Sequence, residues 1–341
     1  MVNANCHISA SQSIQVDRQD FPDALLAIVH TLTQVTNGVI SIELRPAHSN
    51  VQFPAFTAGS HIDLHLPNGL VRSYSLHNAQ EDIGRYAVGV FRDASSRGGS
   101  SWLHRHLRVG DVLSISKPRN NFALAEQAPR SIFVSGGIGI TPLLSMIRRL
   151  TTVGNEAHLL YCARNRSSAP FYCELEELAG EKLTMQSHFS EEAGSVASIR
   201  DYLSVFSPDD HFYCCGPSSM LDAFEAACGS LGFANVHVER FKAVAQSDQA
   251  AAEGQCVVEL ARSGRILTVR KDTALLGCLR AAGVDVESSC EEGVCGACET
   301  SIVSGEAEHR DSILSKAQKA SNKVLMVCVS RCKSDRLVLD L

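Results

Sequence analysis

The run Cys290-Glu291-Glu292-Gly293-Val294-Cys295-Gly296-Ala297-Cys298, with Cys328 farther on, sets four thiols in a C-x4-C-x2-C…C pattern. That is the spacing of a plant-type [2Fe–2S] site, where four thiolates hold two irons. A short loop can gather three thiolates around one centre only if its backbone bends freely, and Gly293 and Gly296 supply that freedom. Such a centre moves one electron at a time, so the rest of the chain is expected to supply electrons.

Zinc binding and disulfide bonding are the two other uses open to these cysteines. Structural zinc sites usually pair their ligands as C-x2-4-C twice, which the x4–x2 stagger with one distant partner fits poorly. Disulfides suit small secreted chains, whereas this chain has 341 residues and 13 cysteines, an odd number. Met1–Ser13 shows neither a basic start nor an apolar core of signal type, and the apolar run Ala24–Val29 is too short to span a bilayer. A reducing cytoplasm is the expected setting. Cys332 follows Cys328 closely, but the spacing favours Cys328 as the ligand. The remaining cysteines read as small buried or semi-buried side chains.

The length predicts two or three domains. Over 20–127, short runs of alternating apolar residues, such as His61–Leu66 and Tyr86–Phe91, are separated by Gly, Pro and Asn, the pattern of a small antiparallel β-barrel. Over 128–241, compact apolar runs (Ser131–Val134, His158–Tyr161, His211–Cys215) alternate with helical periodicity, which predicts an α/β unit on a parallel sheet. Ala243–Gln255 is almost wholly small and polar and marks a linker over 242–255. A small α+β unit over 256–341 surrounds the cysteine loop. A net charge of −6 argues against nucleic acid as a partner.

Arg72-Ser73-Tyr74-Ser75 falls on an expected barrel strand. A guanidinium fork suits a phosphate, an aromatic ring can cover an isoalloxazine, and a small hydroxyl can serve near flavin N5. An ordinary strand with an exposed arginine is the competing reading. Arg97-Gly98-Gly99-Ser100 reads as a loop whose backbone N–H groups can cradle a phosphate, or as a plain flexible turn. The strand at Ser131 runs into Ser135-Gly136-Gly137-Ile138-Gly139-Ile140-Thr141-Pro142 and then a helix. Such a turn lets backbone approach a pyrophosphate, and Pro142 fits the first helical position. Pro142 occupies the third glycine's place in G-x-G-x-x-G, so this is not the standard dinucleotide fingerprint. Cys215-Gly216-Pro217 follows a strand at the sheet's carboxyl edge, where Cys215 can shape a hydride path or be a buried strand-end cysteine. Arg164 and Arg166 read equally as cofactor contacts or as solvated loop residues.

These motifs, in this order, resemble the phthalate dioxygenase reductase and vanillate demethylase reductase family over nearly the whole chain from about residue 20. The stretches 304–311 and 327–331 reinforce the likeness. The resemblance implies a flavin barrel, an NAD domain and a β-grasp ferredoxin domain, with FMN, NADH and a [2Fe–2S] cluster as cofactors. It implies a Rieske-type oxygenase as the electron acceptor and a monomer with no membrane contact. Residue by residue, Arg72, Ser73, Tyr74 and Ser75 would hold the flavin, with Gly98, Gly99 and Ser100 at its phosphate and Val90 and Phe91 along its ring. Gly136, Gly137, Gly139, Thr141, Arg164, Cys215, Gly216 and Pro217 would serve the nucleotide, with Thr141 touching both cofactors. Phe241 would cover the flavin, or be a plain hinge aromatic. Cys290, Cys295, Cys298 and Cys328 would bind the cluster.

Electron counting gives the expected division of labour. NADH delivers two electrons as hydride and the cluster takes one, so a flavin must stand between them, and no side chain need act as a general acid or base. Three other readings compete: a reductase for a non-Rieske monooxygenase, a stand-alone flavin reductase and an iron–sulfur redox sensor. The last has no need of the flavin and nicotinamide motifs.

Overall fold

The computed structural model describes residues 24–94, 97–243 and 254–341. The first unit comprises β1 (Leu25–Thr36), β2 (Val39–Pro46), β3 (His61–His65), β4 (Val71–Ser75), β5 (Tyr86–Phe91), α1 (Gly99–His106) and β6 (Val112–Ile115). All its pairings are antiparallel, in the order β4-β3-β6-β1-β2-β5. A bridge between Leu76 and Val88, backed by a 2.9 Å bond from His77 N–H to the Ala87 carbonyl, joins the two edges into a barrel. Pleating explains the inside: Ile42 and Leu44 are buried, while Ser41 and Glu43 between and beside them face outward.

The second unit runs β7 (Ser131–Gly136), α2 (Ile140–Val153), β8 (Ala157–Ala163), α3 (Tyr172–Leu178), β9 (Leu183–Phe189), α4 (Ser190–Ala193), α5 (Ile199–Leu203), β10 (His211–Cys215), α6 (Ser218–Leu231) and β11 (Val236–Glu239). Its sheet is parallel throughout, ordered β11-β10-β7-β8-β9. One apolar cluster packs α2 on one face, another packs α6 on the other, so central strands are apolar on both sides. Strands β9 and β11 lie at the edges and are only partly buried, which is why they lack the compact apolar run that marks their neighbours.

The third unit comprises β12 (Gln255–Leu260), β13 (Arg265–Arg270), α7 (Leu275–Ala281), β14 (Glu299–Ser304), β15 (Ala307–Glu308), α8 (Lys316–Ser321), β16 (Val324–Met326), β17 (Arg331–Cys332) and β18 (Arg336–Leu339). The larger sheet is ordered β13-β12-β18-β14-β16, with β12 and β18 parallel and its other pairs antiparallel. Strand β12 begins at Gln255, inside the expected linker, and residues 244–253 of that linker lie outside the described residues. Among the described residues no helix is long and apolar enough to cross a membrane.

Candidate flavin, nicotinamide and cluster sites

Strand β4 pairs with β3 so that Ser75 faces His61, Ser73 faces Asp63 and Arg72 faces Leu64. The Ser73 hydroxyl donates to the Asp63 carboxylate at 2.5 Å, so it is engaged within the barrel. Arg72 Nη1 reaches the Val71 carbonyl at 2.7 Å, but Nη2 is buried with no hydrogen-bond partner. A buried unpaired guanidinium nitrogen is costly and calls for an anion. Gly99 lies against this side chain, and a Cβ there would fall 2.7 Å from Arg72 Cγ. Gly98 adopts φ 102° as the N-cap of α1, so Gly99 and Ser100 form a helix N-terminus rather than the loop that the sequence suggests. A glycine at that φ turns the chain directly into the helix, whose first N–H groups lack intrahelical partners. The arrangement fits a flavin phosphate held by Arg72 and the start of α1.

Tyr74 has its phenol pKa raised by burial, which the nearby Arg72 partly opposes. Val90 is fully buried and its carbonyl is bonded to His104 Nε2 at 2.9 Å. Phe91 is half exposed and packs toward Gly38, and Phe241 is 39 % exposed just past β11.

In the second unit, Gly136, Gly137 and Gly139 lie where β7 passes through a 3-10 turn (Gly137–Gly139) into α2. The turn makes Pro142 the third helical residue, not the first; it still falls in the first turn, where an N–H has no intrahelical partner to lose. A Cβ on Gly139 would sit 2.2 Å from the Cys215 carbonyl oxygen, and one on Gly136 would sit 2.6 Å from Pro217 Cδ. The glycine turn and Cys215-Gly216-Pro217 are therefore pressed together at the carboxyl edge of β7 and β10. Thr141 is buried and its methyl meets Gly89 of β5, so it stands at the junction with the barrel. Arg164 is well exposed, 3.9 Å from Glu191. Arg166 pairs with Glu176 at 3.2 Å and lies over the Tyr172 ring at 4.7 Å.

Glu239, which the sequence reading passes over, joins these parts. It lies beside Cys215 in the β10–β11 register, and Ser75 Oγ donates to its carboxylate at 3.3 Å. Burial raises its pKa from 4.5 to about 8, with the Ser75 bond pulling the other way. Cys215 is also buried, and its thiol is raised by burial and then by Glu239. No motif marks Glu239; only the parallel pairing brings it there.

The cysteine loop contains three left-handed residues, Glu291, Gly293 and Gly296. Cys290 is lowered to about 6, first by a hydrogen bond from the Cys295 thiol, which outweighs the opposing effect of burial, and then by backbone N–H groups of Glu292, Val294 and Cys295. Cys298 is lowered as well, first by the Cys328 thiol. Cys295 and Cys328, which donate these two bonds, are raised, first by the bonds themselves and then by burial, with backbone N–H groups of Ala297 and Gly293 opposing. The thiols stand as two hydrogen-bonded pairs, Cys290 with Cys295 and Cys298 with Cys328, and among the described residues no three such side chains are drawn to metal-holding distance. Four thiols with backbone N–H donors beside them are nonetheless the donor set that an iron–sulfur cluster needs. Cys332 instead turns into the core, hydrogen-bonded with Cys256.

The loop rests on the barrel. Asn121 Nδ2 donates to the Cys295 carbonyl at 3.0 Å, and Arg97 pairs with Glu292. Asp63 also holds Arg119 at 2.6 Å.

Two family models match the chain: the 2Fe-2S iron-sulfur cluster binding domain over 258–333 and the oxidoreductase NAD-binding domain over 133–226. Phenoxybenzoate dioxygenase subunit beta of Ectopseudomonas oleovorans is 44% identical over 92% of this chain and 96% of its own. Tetrachlorobenzoquinone reductase of Sphingobium chlorophenolicum is 44% identical over 92% of this chain and 97% of its own. The solved structure of phthalate dioxygenase reductase superposes with a TM-score of 0.67 at 35% identity, covering 95% of this chain and 99% of that one. The chain belongs to the phthalate dioxygenase reductase family.

The reductase fold therefore brings together Arg72, Gly98, Gly99 and Ser100 at one place, and Ser75, Glu239 and Cys215 at another. Thr141 lies between the two units. Arg164 and Arg166 stand apart on the surface, engaged with Glu191 and Glu176.

Proposed function

We propose that this chain passes electrons from NADH through a flavin and a [2Fe–2S] cluster to a Rieske-type oxygenase or demethylase, working as a cytoplasmic monomer with FMN as its flavin. The observation that carries this reading is the docking of the Cys295 loop on the barrel, beside the strand pair that presents Arg72, Tyr74 and Ser75. Bound flavin exchanges two electrons with a nicotinamide and single electrons with a cluster, which is the chemistry neither other group supplies alone.

The chain's own residues do the placing. Arg72 and the start of α1 take the flavin phosphate. Tyr74 and Phe241 flank the ring. The glycine turn at Gly136–Gly139 and Gly216-Pro217 admit the nucleotide backbone closely, and Thr141 spans both sites. Ser75, Glu239 and Cys215 exclude water around the hydride path. Cys290, Cys295, Cys298 and Cys328 hold the cluster.

An anaerobic NADH titration followed by visible absorption tests the relay. Joint bleaching of flavin and cluster, with uptake of about three electrons per chain, supports it. Bleaching of the flavin alone overturns it. A second reading has the chain reduce a quinone directly, favoured by the 44% identity to tetrachlorobenzoquinone reductase. Turnover of a halogenated benzoquinone that persists without the cluster would support that reading over an oxygenase partner.

A further inference from the structure

The barrel–cluster contact holds one feature that neither cofactor site requires. Asn121 Nδ2 donates to the Cys295 carbonyl at 3.0 Å, and the two residues are 174 apart in the chain. The bond is possible because Gly296 has no side chain: a Cβ there would fall 2.8 Å from Asn121 Nδ2. The neighbours of Asn121 fix its backbone. Asn120 Nδ2 bonds to Thr57 Oγ1 at 2.7 Å and to the Ala58 carbonyl at 3.0 Å, and Phe122 is buried against Tyr213. The His61 imidazole also lies against the Cys295 backbone, and its buried Nε2 has no hydrogen-bond partner. His61 faces Ser75 across the β3–β4 pair, so the loop rests on the strand next to the one assigned to the flavin. The Arg97–Glu292 pair at the rim has an exposed arginine, and such pairs contribute little.

We propose that Asn121 is a positioning residue for electron transfer: by holding the Cys295 carbonyl it registers the cluster loop against the flavin barrel. The step it serves is the movement of one electron from reduced flavin to a ferric iron of the cluster, which becomes ferrous, with no bond made or broken. Transfer slows steeply with distance, so a lost contact at this point reduces the docked fraction and the rate together. The inference rests on the relay described above.

The test uses the full chain loaded with flavin and cluster, as wild type, Asn121→Leu and Asn121→Ala. Leucine keeps the bulk and removes the donor; alanine serves if leucine does not fold. Hydrogen exchange of peptides covering 291–298 reads docking without turnover. Stopped-flow absorption with NADH separates flavin reduction from cluster reduction, and redox titration gives the cluster potential. The expected result is faster exchange at 291–298, unchanged flavin reduction, an unchanged potential and cluster reduction about five- to tenfold slower, the effect of one ordinary hydrogen bond. Unchanged exchange and an unchanged cluster phase overturn the inference. So does a slower phase explained wholly by a shifted potential. If NADH fails to reduce the wild-type cluster, the relay itself fails, and the exchange measurement still judges the latch.

Discussion

Ser75 Oγ and the Glu239 carboxylate, 164 residues apart, lie 3.3 Å apart and join the barrel to the last strand of the parallel sheet. Burial lifts Glu239 from 4.5 to about 8, so the folded chain holds this proton far above the usual carboxylate range. An unfolded chain sheds that proton near 4.5, while the folded chain keeps it to about 8. Between those values the native state binds more protons, so stability falls as pH rises. Glu239→Gln removes this dependence. Denaturant unfolding at pH 6 and pH 8.5 should show the wild type losing on the order of 3 kcal/mol relative to the variant. Hydride transfer from NADH, read by ferricyanide reduction, should change through about pH 8 in the wild type and stay flat in the variant.

Gly139→Ala should weaken use of NADH while leaving flavin in place. The added methyl would meet the Cys215 carbonyl at 2.2 Å and the Gly216 nitrogen at 2.8 Å, both backbone atoms that cannot swing away. Parting the two turns costs about 1–3 kcal/mol and displaces the nucleotide cradle. The expected outcome is normal flavin content, normal photoreduction and an NADH KM raised at least about tenfold.

Much of this site is legible in sequence because the chemistry needs unusual residues in short runs. The cysteine loop, the glycine turn and Arg72–Ser75 each announce themselves within a few positions. Other parts depend on tertiary pairing alone. Glu239 meets Ser75 only because β10 and β11 run parallel and the barrel abuts their ends. Asn121 reaches Cys295 from a segment with no motif at all. The edge strands β9 and β11 carry half-polar faces, so composition does not flag them. The Gly98-Gly99 pair looks like a loop because glycine disfavours helices, yet α1 begins there, with Gly98 as its left-handed cap.

Gly99→Ala should release flavin without unfolding the barrel. Its methyl would press on Arg72 at Cγ, 2.7 Å away, and on Nε, 2.8 Å away. These atoms belong to a flexible side chain, so the arginine moves and its buried Nη2 leaves the phosphate position. Flavin affinity should fall about tenfold, measured by fluorescence on dilution, with little change in melting temperature. Arg72→Lys should match or exceed that loss, because an ammonium cannot replace the fork.

Cys328 and Cys332 stand four positions apart and should respond oppositely to serine. Cys328 hydrogen-bonds with Cys298 beside the other two thiols of the loop. Cys332 is 1 % exposed and hydrogen-bonded with Cys256 in the apolar core. Cys328→Ser removes one of four thiolates, so iron content and the visible cluster band should be lost while NADH still reduces the flavin. Cys332→Ser places a hydroxyl in the core at a cost of roughly 1–3 kcal/mol and lowers the melting temperature of the third unit. Its iron content should stay at the wild-type level, since the sulfur it removes faces away from the cluster loop. Loss of iron in the Cys332 variant, with Cys328→Ser retaining it, would reverse the assignment of the fourth ligand.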